Sequence, residues 1–197
     1  MHKLLLPLAL LWLAGCASQP VAPPATDPQQ SWQAHQQQLL SVPGWKLNGR
    51  LLLISEHETW NTSINWQQQD ERYQIMISAP LGQGSLRLEG DLHTVSLQSH
   101  DGEAVQASDP ELLLAQQLGW WVPLRALRYW VLGLPAPGDH HKQLAETGLL
   151  SALEQDGWRI EFRDYRQRDG VWLPSRIFAT HPEAQVRLSI GQWQALR

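Results

Sequence analysis

The chain has 197 residues, 43% of them hydrophobic and 17% charged, which suits one folded domain and excludes a disordered chain or a coiled coil. Its 15 basic and 19 acidic side chains leave a net charge of −4, which argues against a nucleic-acid binder, since that needs a basic face to meet phosphates. Eleven tryptophans stand against two phenylalanines and three tyrosines. Indole rings suit places where apolar and wet surroundings meet, and this points to a ligand-facing surface. A single cysteine cannot form an internal disulfide; in an exported protein it is a free thiol, an intermolecular bridge or a modified residue.

The N-terminus decides among these. Met1–Cys16 reads MHKLLLPLALLWLAGC, a short polar-to-basic start followed by an apolar run from Leu4 to Ala14. That run is shorter than the ~20 residues needed to span a bilayer and fits the core of a signal peptide. Leu13-Ala14-Gly15-Cys16 resembles the lipobox of bacterial lipoproteins, which implies cleavage after Gly15 and acylation of Cys16. Residues 1–15 are then the signal peptide. The mature chain keeps all 19 acidic side chains but loses Lys3. Two or three acyl chains hold a protein stably at a membrane at ~0.8 kcal/mol per buried methylene, where one does so only marginally. Ala17 follows the cysteine in place of the Asp that retains many lipoproteins at the inner membrane. The resemblance therefore favours the outer membrane, with the domain facing the periplasm.

Residues 16–28 form the acylated cysteine and a linker, because Ala17–Pro28 carries four prolines and no apolar period, the mark of an extended, solvated segment. The folded domain is expected over 29–197. Asp27 as a cap and Pro28 at the first helical position open a polar helix over Gln29–Leu40 that carries Trp32, Leu39 and Leu40. From Trp45 the period is two: Leu47, Gly49, Leu51 and Leu53 share one face, and Trp60, Thr62, Ile64 and Trp66 the next. Tyr73, Ile75 and Ile77, then Leu86 and Leu88, then Val95 and Leu97 continue the series. One apolar and one largely polar face per strand predicts an antiparallel meander over an apolar interior.

Ser108-Asp109-Pro110-Glu111 starts a helix that includes Leu112–Leu118 and ends at Gly119. Pro123 opens another over Leu124–Leu132, with Leu124, Leu127, Trp130 and Val131 on one side and Gly133 as its stop. Strands resume over Leu149–Glu154, Trp158–Phe162, Val171–Ala179 and Gln185–Ile190, with Asp156-Gly157 and Asp169-Gly170 as hairpin signals. The expected fold is mainly β: an unclosed antiparallel barrel of about nine to eleven strands with two or three helices covering an apolar cavity.

One short segment breaks the rule that turns are polar. Ser78–Leu86 reads SAPLGQGSL and places Leu81 between Pro80 and Gly82 at the joint of two strands, although exposing a leucine forgoes roughly 1.5–3 kcal/mol of burial. Leu81 either folds back on the sheet or is offset by entering a membrane or a partner's groove.

The lipobox, the Ala79-Pro80-Leu81-Gly82 segment between strands, and Leu127-Arg128-Tyr129-Trp130-Val131-Leu132-Gly133-Leu134-Pro135 together resemble the LolB family of outer-membrane lipoprotein receptors over nearly the whole mature chain. The resemblance implies an unclosed barrel with a helical lid, a LolA-like periplasmic carrier as donor, triacylated lipoproteins as cargo and outer-membrane lipid as destination. It further implies that Leu81 takes the place of the family's protruding loop leucine, needed for insertion. The apolar interior is assigned to Leu51, Leu53, Trp60, Ile64, Trp66, Ile75, Ile77, Leu86, Leu88 and Trp130. Each acyl chain of ~15 methylenes would expose apolar surface worth roughly 12 kcal/mol in water, so a receptor must shelter it less strongly than the bilayer does. No nucleotide chemistry is then required. The rival reading is a scaffolding outer-membrane lipoprotein whose barrel is a dry core.

Enzyme readings find little support, and neither a cofactor nor a catalytic or metal site is expected. His140-His141 lack ligand spacing. Ser85 follows Gly82-Gln83-Gly84 in neither a nucleophile elbow nor a dinucleotide fingerprint, since Arg87 stands where the last glycine belongs. Glu56 and Glu58 flank a turn and face no identifiable partner. The expected state is a monomer.

Overall fold

A computed structural model describes residues 21–56, 58–79, 84–91, 93–100, 102, 104–118 and 121–196. Cys16 and the Pro80, Leu81 and Gly82 corner lie outside these. The described residues include three helices, α1 (Pro28–Leu40), α2 (Pro110–Leu118) and α3 (Leu124–Trp130). The first strands are β1 (Gly44–Ser55), β2 (Thr59–Gln69), β3 (Arg72–Ser78), β4 (Ser85–Gly90), β5 (Val95–Ser99) and β6 (Ala104–Ala107). After α3 come β7 (His141–Leu144), β8 (Leu150–Gln155), β9 (Trp158–Arg163), β10 (Arg166–Arg168), β11 (Val171–Leu173), β12 (Arg176–His181) and β13 (Ala184–Leu196).

Eleven strands make one antiparallel sheet in the order β6-β5-β4-β3-β2-β1-β13-β12-β9-β8-β7, and β10 pairs with β11 in a separate hairpin. The sheet has two edges, β6 and β7, and so is unclosed. It joins first and last strands at its centre: β1 pairs with both β2 and β13 along its length. Alternation along β1 and β2 puts Leu47, Leu53, Thr62, Ile64 and Trp66 on the buried side, as the period of two requires.

Two edge strands, β6 and β7, have no apolar alternation to announce them; β7 is HKQL and begins at His141. The expected strand over Val171–Ala179 is two strands in different sheets, a correction with a local cause. Pro174 has no N–H for a ladder, and the chain leaves β11 there, with its carbonyl accepting from the Trp193 indole at 3.2 Å. The helix expected to run to Leu132 ends at Trp130, and residues 131–136 continue as a buried turn and extended segment. The Asp-Gly pairs behave as their chemistry dictates: Asp156 and Gly157 have φ of 52° and 78°, Asp169 and Gly170 of 49° and 82°, which match the twist of the strands they join.

Asp27 caps α1, its Oδ1 accepting from the N–H groups of Gln29 and Gln30 at 2.9 and 3.1 Å. The helix buries Trp32, His35 and Leu39 and lies against the β7–β8 turn so closely that a Cβ on Gly148 would sit 2.6 Å from the Ser31 Cβ. Ala25 N–H donates to the Glu146 carbonyl at 2.8 Å, fixing the point where the N-terminal segment meets the fold.

His35 links this packing to pH. Burial lowers its pKa from 6.5 to about 4, and its Nε2 is buried without a partner. The unfolded chain therefore takes up this proton first as pH falls. Its contribution to stability is complete above pH 6.5 and lost progressively between 6.5 and 4, on the order of 3 kcal/mol. His35→Leu should flatten this part of the profile in urea unfolding at pH 7, 5.5 and 4.5; an unchanged slope would assign the pH dependence elsewhere.

Candidate functional site

Cross-strand register assembles the site. On the inner face Leu53 lies opposite both Trp60 and Val186, Leu51 opposite Leu188, and Ile64 opposite Ile77. Trp66 and Ile75, Ile75 and Leu88, and Ile77 and Leu86 form further pairs. On the other flank Ile177 faces Leu188, and Ala179 faces Val186 and Ile160. Such pairs on one face hold a sheet together, and here they pave a continuous apolar surface.

That surface does not close on itself. Between it and the helices lies a pocket of about 150 Å³ whose other wall is Leu114 of α2, Val122, Pro123, and Leu124, Leu127, Trp130 and Val131 in and after α3. The ten side chains assigned from sequence to the interior all line it. So do Trp158, Ile160, Ile177, Ala179, Val186 and Leu188, which the sequence reading left out of the interior. Their alternation in β9, β12 and β13 was the available signal, but only the β1–β13 pairing brings those strands around the same space.

Every residue lining the pocket is apolar or aromatic. Its indoles turn their polar atoms to partners: Trp60 Nε1 donates to Glu58 Oε2 at 2.6 Å, Trp66 Nε1 to Gln68 Oε1 at 3.2 Å and Trp130 Nε1 to Gln155 Oε1 at 3.0 Å. Trp158 stacks on His181 with centroids 5.1 Å apart. Gln155 also accepts from Ala136 N–H and donates to Ala136 O, both at 2.9 Å, so one buried amide ties the segment after α3 to β8. A void of this size and lining holds a benzene-sized molecule. Its lining carries no charged side chain to polarise a bond or bind an ion.

A larger cleft, about 950 Å³, lies on the sheet's polar face, where Gln67, Gln74, Glu89, Ser96 and Gln106 form a row across five strands. At its middle Glu89 accepts from Gln74 and Arg87, and these hydrogen bonds hold its carboxyl below its ordinary value. Its lining mixes polar and charged side chains with Tyr73, Val95 and Ala107, unlike the wholly apolar pocket. Among the described residues no group of three or more His, Cys, Asp or Glu could hold a metal ion, and no helix is long and apolar enough to cross a membrane.

Beside the pocket, Arg128 of α3 pairs with Glu71 in the β2–β3 turn. Tyr73 lines a small void of about 50 Å³ with Pro110, Arg125 and Arg128; its hydroxyl is buried without a hydrogen-bond partner, and burial pushes it up to about 12.

A family model described as outer membrane lipoprotein LolB matches residues 43–193. The chain belongs to the LolB family. It is 40% identical over 189 residues to the outer-membrane lipoprotein LolB of Nitrosococcus oceani, covering 95% of this chain and 94% of that protein. The LolB of Chromohalobacter salexigens is 40% identical over 93% of this chain and 86% of its own length. That of Pseudomonas putida is 37% identical over 92% and 90%. Among solved structures, a LolA superfamily protein from Nitrosomonas europaea superposes with a TM-score of 0.56 at 11% identity, covering 88% of this chain and 95% of the other. A DUF1329 family protein from Desulfovibrio piger gives 0.52 at 8%, covering 86% and 94%. These two likenesses concern the fold alone. In this LolB-family chain the LRYWVLGLP segment supplies Leu127, Trp130 and Val131 to the walls of the pocket.

Proposed function

We propose that this chain is a lipid-anchored outer-membrane receptor, its domain in the periplasm, that accepts acylated lipoproteins from a LolA-like carrier and inserts them into the outer membrane. The observation that carries this reading is the wholly apolar pocket between the open sheet and the helices, in a chain of the LolB family. Hydrocarbon gains by leaving water for such a lining, and onward delivery without nucleotide hydrolysis requires only that it gain more from the bilayer. Acylated Cys16 would hold the domain near the membrane: from Cys16 to Ala25 the chain spans roughly 30 Å when extended, and at Ala25 it is bonded to Glu146. Leu81, between Pro80 and Gly82, is the proposed membrane-entering tip.

The test is transfer. Purified protein mixed with carrier loaded with a triacylated lipoprotein should strip the cargo, and with liposomes present should deliver it. A scaffolding lipoprotein with a dry core would show neither. Leu81→Glu should leave uptake intact and reduce delivery about tenfold or more, since a charge in place of leucine opposes entry into hydrocarbon; unchanged delivery would remove Leu81 from the mechanism.

A further inference from the structure

A pocket of about 150 Å³ admits a molecule of benzene size, whereas an acyl chain carries ~15 methylenes. If the pocket takes acyl chains, as proposed above, a wall must move. The sheet side is paired strand to strand from β6 to β7, so the helical side has to yield. Its two helices are held very differently.

α3 is anchored along its length and beyond. Arg128 pairs with Glu71, Trp130 donates to Gln155, and the following six residues are buried and joined to β8 through the Gln155–Ala136 bonds. α2 buries Leu113 and Leu114 but exposes Leu112, Gln116 and Gln117. Among the described residues, the hydrogen bonds and ion pairs that tie α2 and its cap to another element all end on Arg125. Glu111 Oε1 accepts from the Arg125 backbone N–H at 3.0 Å and Oε2 from its Nη1 at 2.7 Å, with Asp109 3.7 Å away. Pro123 gives α3 no side-chain cap, so Glu111 supplies an acceptor to the first turn of α3 from a neighbouring helix.

We propose that α2 is the wall that opens and that Glu111–Arg125 is its latch. The pair suits this work: Glu111, only 12% exposed, is held by two hydrogen bonds while α2 is down, and the half-exposed Arg125 gives water a way in when the two part. Pro110, at the start of α2, shares a small void with Tyr73 and Arg125. Lifting α2 there lets water reach the Tyr73 hydroxyl, which has no partner when the helix is down. Opening therefore relieves one unsatisfied donor and strands none of those that α3 secures.

Two measurements on the detergent-solubilised mature protein test this. In hydrogen–deuterium exchange, amides of α2 should exchange about tenfold or more faster than those of α3, and Glu111→Ala should widen the gap; equal rates in the two helices would overturn the proposal. In uptake of a fluorescent tripalmitoylated lipopeptide, Glu111→Ala and Arg125→Ala should each load several-fold faster. A Glu111→Cys/Arg125→Cys variant closed by a short bismaleimide should load at least tenfold slower than the same variant left open. Loading of the closed variant at the open rate would sink the latch. If no variant binds lipopeptide while α2 exchanges faster than α3, the moving wall stands and the receptor reading fails.

Discussion

Ala179→Phe is expected to cut acyl-chain uptake more than tenfold while leaving the domain folded. The Ala179 side chain faces the pocket from β12 and lies between Ile160 and Val186 in the register. Phenylalanine at this site would add a ring to a void that itself holds about one benzene. A ring that fits gains dispersion contacts the alanine cannot make, and one that fits imperfectly costs about 1–3 kcal/mol of overpacking; either leaves most domains folded. The thermal midpoint should therefore shift by only a few degrees in either direction, while labelled lipopeptide no longer loads. Full uptake with the ring in place would mean that this pocket is not where the chains go.

The second large effect concerns stability. Gln155 serves three buried groups at once: the Trp130 indole N–H, the Ala136 N–H and the Ala136 carbonyl. Gln155→Leu keeps the size and strands all three, each costing about 1–3 kcal/mol when left buried and unpaired. A total loss of about 3–9 kcal/mol is expected, a large share of the 5–15 kcal/mol typical of a domain. Denaturant unfolding checks it. A loss below about 1 kcal/mol would show that water replaces the amide, and α3 would then be no better anchored than α2.

Inward-facing residues were legible because the side-chain period of a strand is local: Leu51, Leu53, Trp60, Ile64, Trp66, Ile75, Ile77, Leu86 and Leu88 could be assigned to one face without knowing any pairing. The same locality made Asp27-Pro28 readable as a helix start and the two Asp-Gly pairs as turns. It failed where no apolar alternation exists, in β6 and β7, and where a single run serves two sheets, at Pro174. The lining supplied by Ile160, Ile177, Ala179, Val186 and Leu188 was hidden for a different reason, since it depends on β13 returning to pair with β1.

By itself, then, the order of residues determined which side of each strand is apolar, where the principal turns and helix starts fall, and the membership of the LolB family carried by short ordered motifs. How much room the apolar sides leave, and what holds the helices over it, was decided by the tertiary structure. A void is the small difference between the volume enclosed by many strands and the volume of the side chains that enter it. The pairing of Glu111 with Arg125 and of Gln155 with Trp130 joins residues whose relation in space exists only once the chain has folded.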